Sequence, residues 1–324
     1  MKIHGSTLDK FNSAMISIAK LPPPVRPGDR VGVAALSGKV DPARLDAGLS
    51  ALAELGYEPV EASNLRTQSG LFAGTDRQRL DGFHELACDD SLGAIVFARG
   101  GYGVTRVLPD IDWRLLARRP RAYVGYSDLT PFLLEVISRL GTVSFHGPMV
   151  AADLARGLSQ EERVSFQGAL AGELPASYAV RADAAQGIAA GPLLGGCLSM
   201  LTATLGTPFA PDFEGAILFV EDLEEPLYRF DRMLTHLRLS GNLSQLKGLV
   251  AGHLERGDCE LYDGESIGAS QATLVQQLQF EAMRFPWPLA WGLAAGHAEP
   301  NLTLPLGLQA RLDASAGELT VGLG

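Results

Sequence analysis

The first half of the chain alternates short apolar runs with segments of helical spacing. Buried strands are predicted over residues 30–36, 58–61, 93–98 and 122–124. Leucines spaced three or four apart predict a helix over 42–55, and a capping-box pattern at 75–78 opens a second helix that runs to about Ala87. A third helix is predicted over 131–140, with Thr130 as its cap. Strands that alternate with helices indicate a parallel sheet covered on both faces.

The second half has a different pattern. Residues 171–190 are small, polar and weakly periodic, which favours a crossing between domains. A strand over 215–220, an amphipathic helix over 228–239 and short alternating segments near the C-terminus indicate a smaller, mixed, β-rich domain. We therefore predict an N-terminal α/β domain, a linker and a C-terminal domain, with bounds 1–170, 171–190 and 191–324.

Composition narrows the class of protein. A chain of 324 residues can bury a full core, and its net charge of −10 comes from scattered acids, which argues against a nucleic-acid or anionic membrane surface. No apolar run approaches the ~20 residues of a membrane span. The apolar patch at 14–19 is too short for a secretory signal, so we expect a short N-terminal helix or a loose arm.

Cysteine and histidine usage bears on the redox compartment and on metal binding. Three distant cysteines predict no disulfide framework and fit a reducing cytoplasm: Cys88, Cys197 and Cys259. The six histidines form no His-Glu-x-x-His pair, so no metal site is predicted, although a site built from distant residues stays open.

The main candidate for chemistry is Ser127, in the run Val-Gly-Tyr-Ser-Asp-Leu at 124–129. The serine lies on a tight turn between a predicted strand and a predicted helix, where helix N–H groups can bind a developing oxyanion. Many hydrolases hold a serine nucleophile in this way. Leu129 stands where the usual elbow has glycine, and a plain capping serine is the alternative interpretation.

A glycine-rich loop at 99–103 follows the preceding strand along the chain. Glycines permit positive φ and close approach of a substrate, and the loop N–H groups could hold a phosphate or an oxyanion. An ordinary tight turn is the alternative. Ligands of parallel sheets sit outside the carboxyl ends of the strands, so we expect this loop and Ser127 to share one site.

Two further segments could complete a hydrolytic site. Acids at 221–225 stand at the end of a predicted strand, where a carboxylate could accept the Nδ1–H of a histidine. A solvated acidic loop paired with Arg229 and Arg232 is the alternative. His297, on a turn bounded by glycine and proline, is the favoured general base. It could instead pack against an indole, and His146 is its rival as a base or an orienting residue.

These segments together resemble the LD-carboxypeptidase family, the serine peptidases of murein recycling. The resemblance runs in order from about Arg26 to Leu312 through RPGD at 26–29, RGGYG at 99–103, GYSD at 125–128, FHGP at 145–148, LFVED at 218–222, YRFDRML at 228–234 and GH at 296–297 followed by NLTLPLG at 301–307. It implies an N-terminal three-layer parallel-sheet domain of the flavodoxin or class I glutamine amidotransferase type. It also implies a cleft between two domains, often buried further by dimer formation.

The resemblance implies the site residues as well. The catalytic triad would be Ser127, Glu221 and His297, with an oxyanion hole formed by the N–H groups of Asp128 and Gly101. The expected reaction removes the terminal D-alanine of a murein tetrapeptide without a metal or other cofactor, in a cytoplasmic homodimer. The substrate carboxylate would be bound by one of three side chains: Arg99, Tyr102 or Arg232.

Some positions depart from the family pattern. Cys197 stands in GGCL where an asparagine is typical, residues 35–38 lack the usual proline and serine, and the first 20 residues have no counterpart. A branch of the same family cleaves microcin C-type peptide–nucleotides, where an aromatic side chain of the second domain can stack on adenine. Trp287 and Trp291 lie in the corresponding half. A binding module without turnover is the remaining alternative.

Overall fold

The computed structural model describes residues 18–182, 187–256 and 271–323. The predicted N-terminal helix or arm, apart from its last residues, and Cys259 lie outside the described residues. The strands are β1 (Arg30–Ala34), β2 (Glu58–Glu61), β3 (Leu92–Phe97), β4 (Ala122–Gly125), β5 (Ser144–His146), β6 (Ala176–Ala179), β7 (Ile188–Cys197), β8 (Ile217–Glu225), β9 (Gly248–Arg256), β10 (Leu289–Ala290), β11 (Leu304–Leu306), β12 (Gln309–Asp313) and β13 (Glu318–Val321).

The helices cover the faces and edges of two sheets. They are α1 (Pro42–Glu54), α2 (Asp76–Cys88), α3 (Val104–Val107), α4 (Trp113–Ala117), α5 (Thr130–Leu140), α6 (Gln160–Ala171), α7 (Leu198–Ala203), α8 (Leu227–Leu239), α9 (Asn242–Gln245) and α10 (Gln271–Ala282). The predicted capping box is present, since the Thr75 hydroxyl and the Gln78 side chain each accept a backbone N–H of the other residue. No described helix has both the length and the apolar character needed to cross a membrane.

The first sheet confirms the predicted parallel architecture. Its strand order is β11-β5-β4-β3-β1-β2, and β1 to β5 all run parallel to one another. β11, near the C-terminus, adds to the edge antiparallel to β5, with Leu304 opposite His146. The chain therefore returns to its first sheet after completing most of the second.

The second sheet confirms the predicted mixed, β-rich C-terminal half. Its order is β10-β9-β8-β7-β12-β13-β6, with the first four strands parallel and the others antiparallel. The segment predicted as a linker, 171–190, contains β6 and the start of β7, both of which belong to this sheet. The division into two domains at these bounds stays a prediction.

Two local expectations at the ends of the strands were wrong. Thr130 does not cap α5: it lies inside the helix, after a 3₁₀ turn at Ser127–Leu129, and its hydroxyl accepts the backbone N–H of Cys197 at 3.1 Å. The acids at 221–225 stand at the end of a strand, as predicted, but they belong to β8 itself, so the alternative of a solvated loop is wrong. Pairing with β7 extends to Glu221, opposite Cys197, and pairing with β9 keeps the chain extended through Asp222 and Glu225.

Candidate active site

Ser127 lies at the carboxyl end of β4 in a backbone conformation that few residues adopt. Its φ is +61°, in the left-handed region, and the 3₁₀ turn at Ser127–Leu129 leads directly into α5. Such a conformation costs about 1–3 kcal/mol for a residue with a side chain and persists where the surrounding structure enforces it. The predicted serine turn is therefore present, and its strain is of the kind found at functional sites.

The glycine-rich loop packs against this serine, as the topology predicts. A Cβ added to Gly100 would lie 2.8 Å from Cβ of Ser127 and 2.9 Å from its Oγ, so only glycine fits at this position. The Gly100 carbonyl accepts the N–H of Gly38 at 3.1 Å, which joins the loops after β1 and β3. Gly101 follows with a φ of +102°.

Glu221 and His297 form a buried pair. His297 Nδ1 lies 2.6 Å from Oε2 of Glu221, whose side chain is fully buried, while 13% of the histidine side chain is exposed. A Cβ on Gly296 would lie 2.7 Å from the same carboxylate oxygen, so glycine before the histidine is required. Burial disfavours the imidazolium, but the charge and hydrogen bond of Glu221 outweigh burial and raise the pKa of His297.

The His297 ring connects this pair to the serine turn. Its centroid lies 4.9 Å from that of Tyr126, the residue before Ser127, at an interplanar angle of 71°. The indole packing considered for His297 does not occur through Trp287, which is buried, stacks on Phe285 and donates Nε1–H to the Leu243 carbonyl. The structure thus places the Glu221–His297 pair against Tyr126, the residue next to Ser127 in the chain.

His146 lies beside this group but has a different environment. It is fully buried, with ring centroids 5.5 Å from Tyr126 and 4.9 Å from Phe219. Neither ring nitrogen has a hydrogen-bond partner among the described residues. Burial lowers the pKa of His146 to about 4, so the ring is neutral at pH 7 and acts as an apolar support for Tyr126.

Side chains behind the turn were missed by the sequence reasoning. The buried Asp128 carboxylate accepts the Ser37 hydroxyl at 2.6 Å and the Val104 N–H at 2.8 Å, which ties the loops after β1, β3 and β4 together. The fully buried Arg79 of α2 donates to the carbonyls of Leu36 and Gly103 in the same loops. Arg79 shares the buried face of α2 with Phe83, and an arginine on an apolar face was the available signal.

The candidate substrate-binding residues are not equally placed. Arg99 is exposed beside the serine loop, donates to the Lys39 carbonyl at 3.1 Å, and has Nη2 3.6 Å from where a Cβ on Gly101 would lie. Tyr102 is 52% exposed and packs on Phe72. Arg232 instead lies on α8, where its guanidinium stacks on Tyr228.

Cys197 is part of the support for the site. Its thiol is buried, which raises the pKa, and Sγ lies 3.1 Å from the Ser199 hydroxyl. The adjacent carboxylate of Asp222 accepts the Ser199 N–H at 2.7 Å at the first turn of α7. Among the residues that the structure describes, no group of three or more His, Cys, Asp or Glu side chains is arranged to hold a metal ion.

Family models match both halves of the chain. The LD-carboxypeptidase N-terminal domain matches residues 31–147, and the LD-carboxypeptidase C-terminal domain matches residues 190–312. A probable murein peptide carboxypeptidase of Bacillus subtilis (strain 168) is 33% identical over 312 residues, covering 92% of this chain and 93% of that protein. The crystal structure of muramoyltetrapeptide carboxypeptidase from Oxalobacter formigenes is 34% identical, with a TM-score of 0.80 over 91% of this chain and 99% of that one.

A more distant relative belongs to the other branch considered. The microcin C7 self-immunity protein MccF of Escherichia coli is 24% identical over 272 residues, covering 74% of this chain and 77% of that protein. A structure of MccF in complex with aspartyl sulfamoyl adenosine aligns with a TM-score of 0.83 at 21% identity, over 94% of this chain and 99% of that one, which shows a shared fold. The chain belongs to the LD-carboxypeptidase family and is a serine carboxypeptidase.

Proposed function

We propose that Ser127 is the nucleophile, His297 the general base and Glu221 the residue that orients the base. The observation that carries this proposal is the buried 2.6 Å contact of His297 with Glu221 beside a serine at φ +61°. Ser127 Oγ attacks the carbonyl carbon of the peptide bond while His297 Nε2 takes the hydroxyl proton. The proton passes to the leaving amine as the C–N bond breaks, and water then hydrolyses the acyl-enzyme in the same way.

The proposed oxyanion hole is formed by the backbone N–H groups of Asp128 and Gly101. The close fit of Gly100 on Ser127 supports it, because it sets the glycine loop against the nucleophile. Removing a single donor from such a hole typically costs about 3 kcal/mol in transition-state stabilisation. The buried Asp128 carboxylate, which holds the Val104 N–H, keeps the two loops in register.

The proposed substrate is a murein tetrapeptide that loses its terminal D-alanine. The names of the Bacillus subtilis and Oxalobacter formigenes relatives support this substrate, at 33% and 34% identity. A carboxypeptidase must bind a carboxylate close to the scissile bond. Arg99 is the best placed of the three candidate residues, since its guanidinium borders the glycine loop.

Peptide–nucleotide hydrolysis of the microcin C type is the competing substrate assignment. The likeness to MccF supports it only at the level of fold. Trp287 and Trp291 lie in the half of the chain from which an adenine-stacking residue would come, with a place in the core as the alternative for both. Trp287 is buried in the core, and the Arg181 guanidinium lies over the Trp291 ring, 5.3 Å from its centroid. The tetrapeptide is therefore the better supported substrate. The buried contact of His297 with Glu221 and the left-handed backbone of Ser127 also disfavour a binding module without turnover.

Mass spectrometry of murein tetrapeptide incubated with wild-type protein and with Ser127→Ala tests the proposal. Loss of one D-alanine with the wild type alone is the expected result. Equal cleavage by the variant would remove Ser127 from its role. If neither protein cleaves the tetrapeptide, an aminoacyl sulfamoyl adenylate is the next ligand, and its tight binding would favour the peptide–nucleotide branch.

The proposal includes a cytoplasmic homodimer. The cysteine pattern supports the compartment, and the family resemblance supports the dimer. Sedimentation at enzyme concentrations used for activity tests the oligomeric state, with the mass of two chains expected and that of one chain contradicting it. Fractionation of the source cells tests the compartment.

A further inference from the structure

We propose that Asp153, Glu162 and Asn301 form a positioning clamp that holds the His297 loop against the half of the molecule that carries Ser127. The inference rests on the proposed function, because it assigns these residues to the reaction in which His297 is the base. Glu162 and Asn301 would act through the backbone of the loop at 296–301. The charge of Asp153 also reaches the base directly, since it contributes to raising the pKa of His297.

Asn301 is the centre of the clamp. It is fully buried, and its Oδ1 accepts the N–H of Gly296, the residue before His297, at 3.0 Å. Its own backbone N–H donates to Oε1 of Glu162 at 2.8 Å, and its Nδ2 lies 3.4 Å from Oδ1 of Asp153. One amide side chain therefore closes the His297 loop on itself and fastens it to the first half of the chain.

Fastening a loop with two buried carboxylates has a high cost in desolvation free energy. Glu162 is fully buried and Asp153 nearly so, and burying a charge costs several kcal/mol before its partners compensate. Arg156 supplies the compensation: it is hydrogen-bonded to Glu162, lies 3.6 Å from Asp153 and also pairs with Glu299 at 3.1 Å. Apolar packing would fix a loop at lower cost, so the arrangement points to a requirement for exact placement.

The location of the two carboxylates supports the same role. Asp153 lies in a π-helical turn, Val150–Leu154, a local geometry frequent at functional sites, and accepts the Met149 N–H at 2.9 Å. Glu162 is in the first turn of α6. Both residues fall between the two matched family segments, which end at 147 and begin again at 190. The intervening segment thus fastens Asn301, from the second half of the chain, to the π-helical turn and to α6.

Glu162 has a second task that must be separated from the clamp. Its Oε2 accepts the N–H of Ser159, and the Ser159 hydroxyl accepts the N–H of Glu162, which forms the capping box of α6. Ser159→Ala removes the hydroxyl side of this cap and leaves the Asn301 contact intact. It is therefore the matched control for a purely structural role.

The decisive experiment measures kcat and KM on the tetrapeptide and the rate of Ser127 phosphonylation by a small serine-directed phosphonate. In Glu162→Ala we expect kcat and the phosphonylation rate to fall by about 10²-fold with KM nearly unchanged, since a displacement near 1 Å of a reacting group costs this much. Glu162→Gln, which keeps an oxygen for the Asn301 N–H, should recover most of the loss. Ser159→Ala should lower the melting temperature and leave kcat unchanged.

Asn301→Ala keeps the Glu162–Arg156 ion pair, so it decides the question if Glu162→Ala fails to fold. A folded Asn301→Ala protein with wild-type kcat overturns the proposal, as does a Ser159→Ala protein with the same kcat loss as Glu162→Ala. A wild-type protein that the phosphonate does not label at Ser127 overturns the proposed function and this inference with it. Labelled wild type with equally labelled clamp variants overturns the inference alone.

Discussion

The imidazole of His297 and the carboxylate of Glu221 lie 2.6 Å apart although 75 residues separate them in the chain. The pair forms because β8 stays extended through Glu221 and because Gly296 leaves space for the carboxylate. The resulting charge and hydrogen bond raise the pKa of His297 in spite of its burial. The pair therefore sets the pH range in which the histidine can accept a proton.

Glu221→Gln should move the pH profile. A general base is active when neutral, so a raised pKa predicts that kcat falls on acidification with a midpoint above the ordinary histidine value of 6.5. Removing the negative charge lowers the pKa of His297, and the acid limb should shift to lower pH. We also expect kcat to fall by about 10³–10⁴-fold, as in other triads whose acid becomes an amide.

Steady-state kinetics from about pH 5 to about pH 9, a range that brackets the ordinary histidine pKa, measures both effects of this substitution. Glu225→Gln is the control, because Glu225 ends the same strand and pairs with Arg229 instead. An acid limb that stays in place in Glu221→Gln would contradict the assignment of that limb to His297.

Gly100→Ala should remove most activity while the protein still folds. The new methyl group would lie 2.8 Å from Cβ of Ser127, so either the serine or the glycine loop must move. A shift near 1 Å at a reacting group costs about 10²-fold in rate. Gly168→Ala, inside α6 with Glu173 Oε2 at 3.4 Å, should keep full activity. Wild-type kcat in Gly100→Ala would show that the two loops are not in the contact described.

Much of this arrangement could be predicted from the sequence, for a topological reason. Strands of a parallel sheet end at the same edge, so the apolar runs before Gly100 and Ser127 were enough to predict that they meet. The run before Glu221 predicted a strand but not its length, because the end of that strand is held by pairing with Cys197 of β7 and with β9. Local patterns carry no information on such pairing.

The hydrogen bonds that support the site could not be predicted from local sequence patterns, because they join residues that are distant in the chain. Glu162 and Asn301 are 139 positions apart in the chain, and each looks like an ordinary polar residue in its own segment. Thr130 was interpreted as a cap because threonine before proline often is one. Its hydroxyl is used instead to accept the N–H of Cys197 from the other sheet.

Ser37→Ala should weaken catalysis without affecting substrate binding. The Ser37 hydroxyl donates to the Asp128 carboxylate at 2.6 Å, and that carboxylate also holds the Val104 N–H after the glycine loop. Loss of one of these contacts loosens the loops that carry the proposed oxyanion donors. Because the donors themselves remain, kcat should fall by less than the 10²–10³-fold typical of losing one donor, about 10-fold.

The measurement for Ser37→Ala is kcat and KM on the tetrapeptide together with thermal unfolding. KM should stay within about twofold, since the contact stabilises the transition state and not the bound substrate. Ser50→Ala is a control, because Ser50 is exposed and its hydroxyl donates to the Asp46 carbonyl within α1. A rise in KM with constant kcat would place Ser37 in substrate binding.

Asp222→Asn should stabilise the protein at neutral pH and not at acid pH. Burial, with the neighbouring Glu221 charge, raises the pKa of Asp222 from 3.8 to about 6. An acid whose pKa is higher in the folded state resists ionisation there, so stability falls as pH rises from near 4 to near 6 and stays lower above it. An amide carries no such penalty and still offers an oxygen to the Ser199 N–H.

The expected gain at pH 7.5 is about 1–2 kcal/mol in the free energy of unfolding. The pKa shift of Asp222 alone would give more, but the amide also loses a hydrogen bond that the carboxylate makes. Urea denaturation at pH 7.5 and at pH 4 measures it, and the gain should disappear at the lower pH. Asp313→Asn should have the opposite effect on stability. The Ala316 N–H lowers the pKa of Asp313, so loss of this carboxylate should destabilise the protein at pH 7.5. A gain for Asp222→Asn that is equal at both values of pH would mean that ionisation is not its cause.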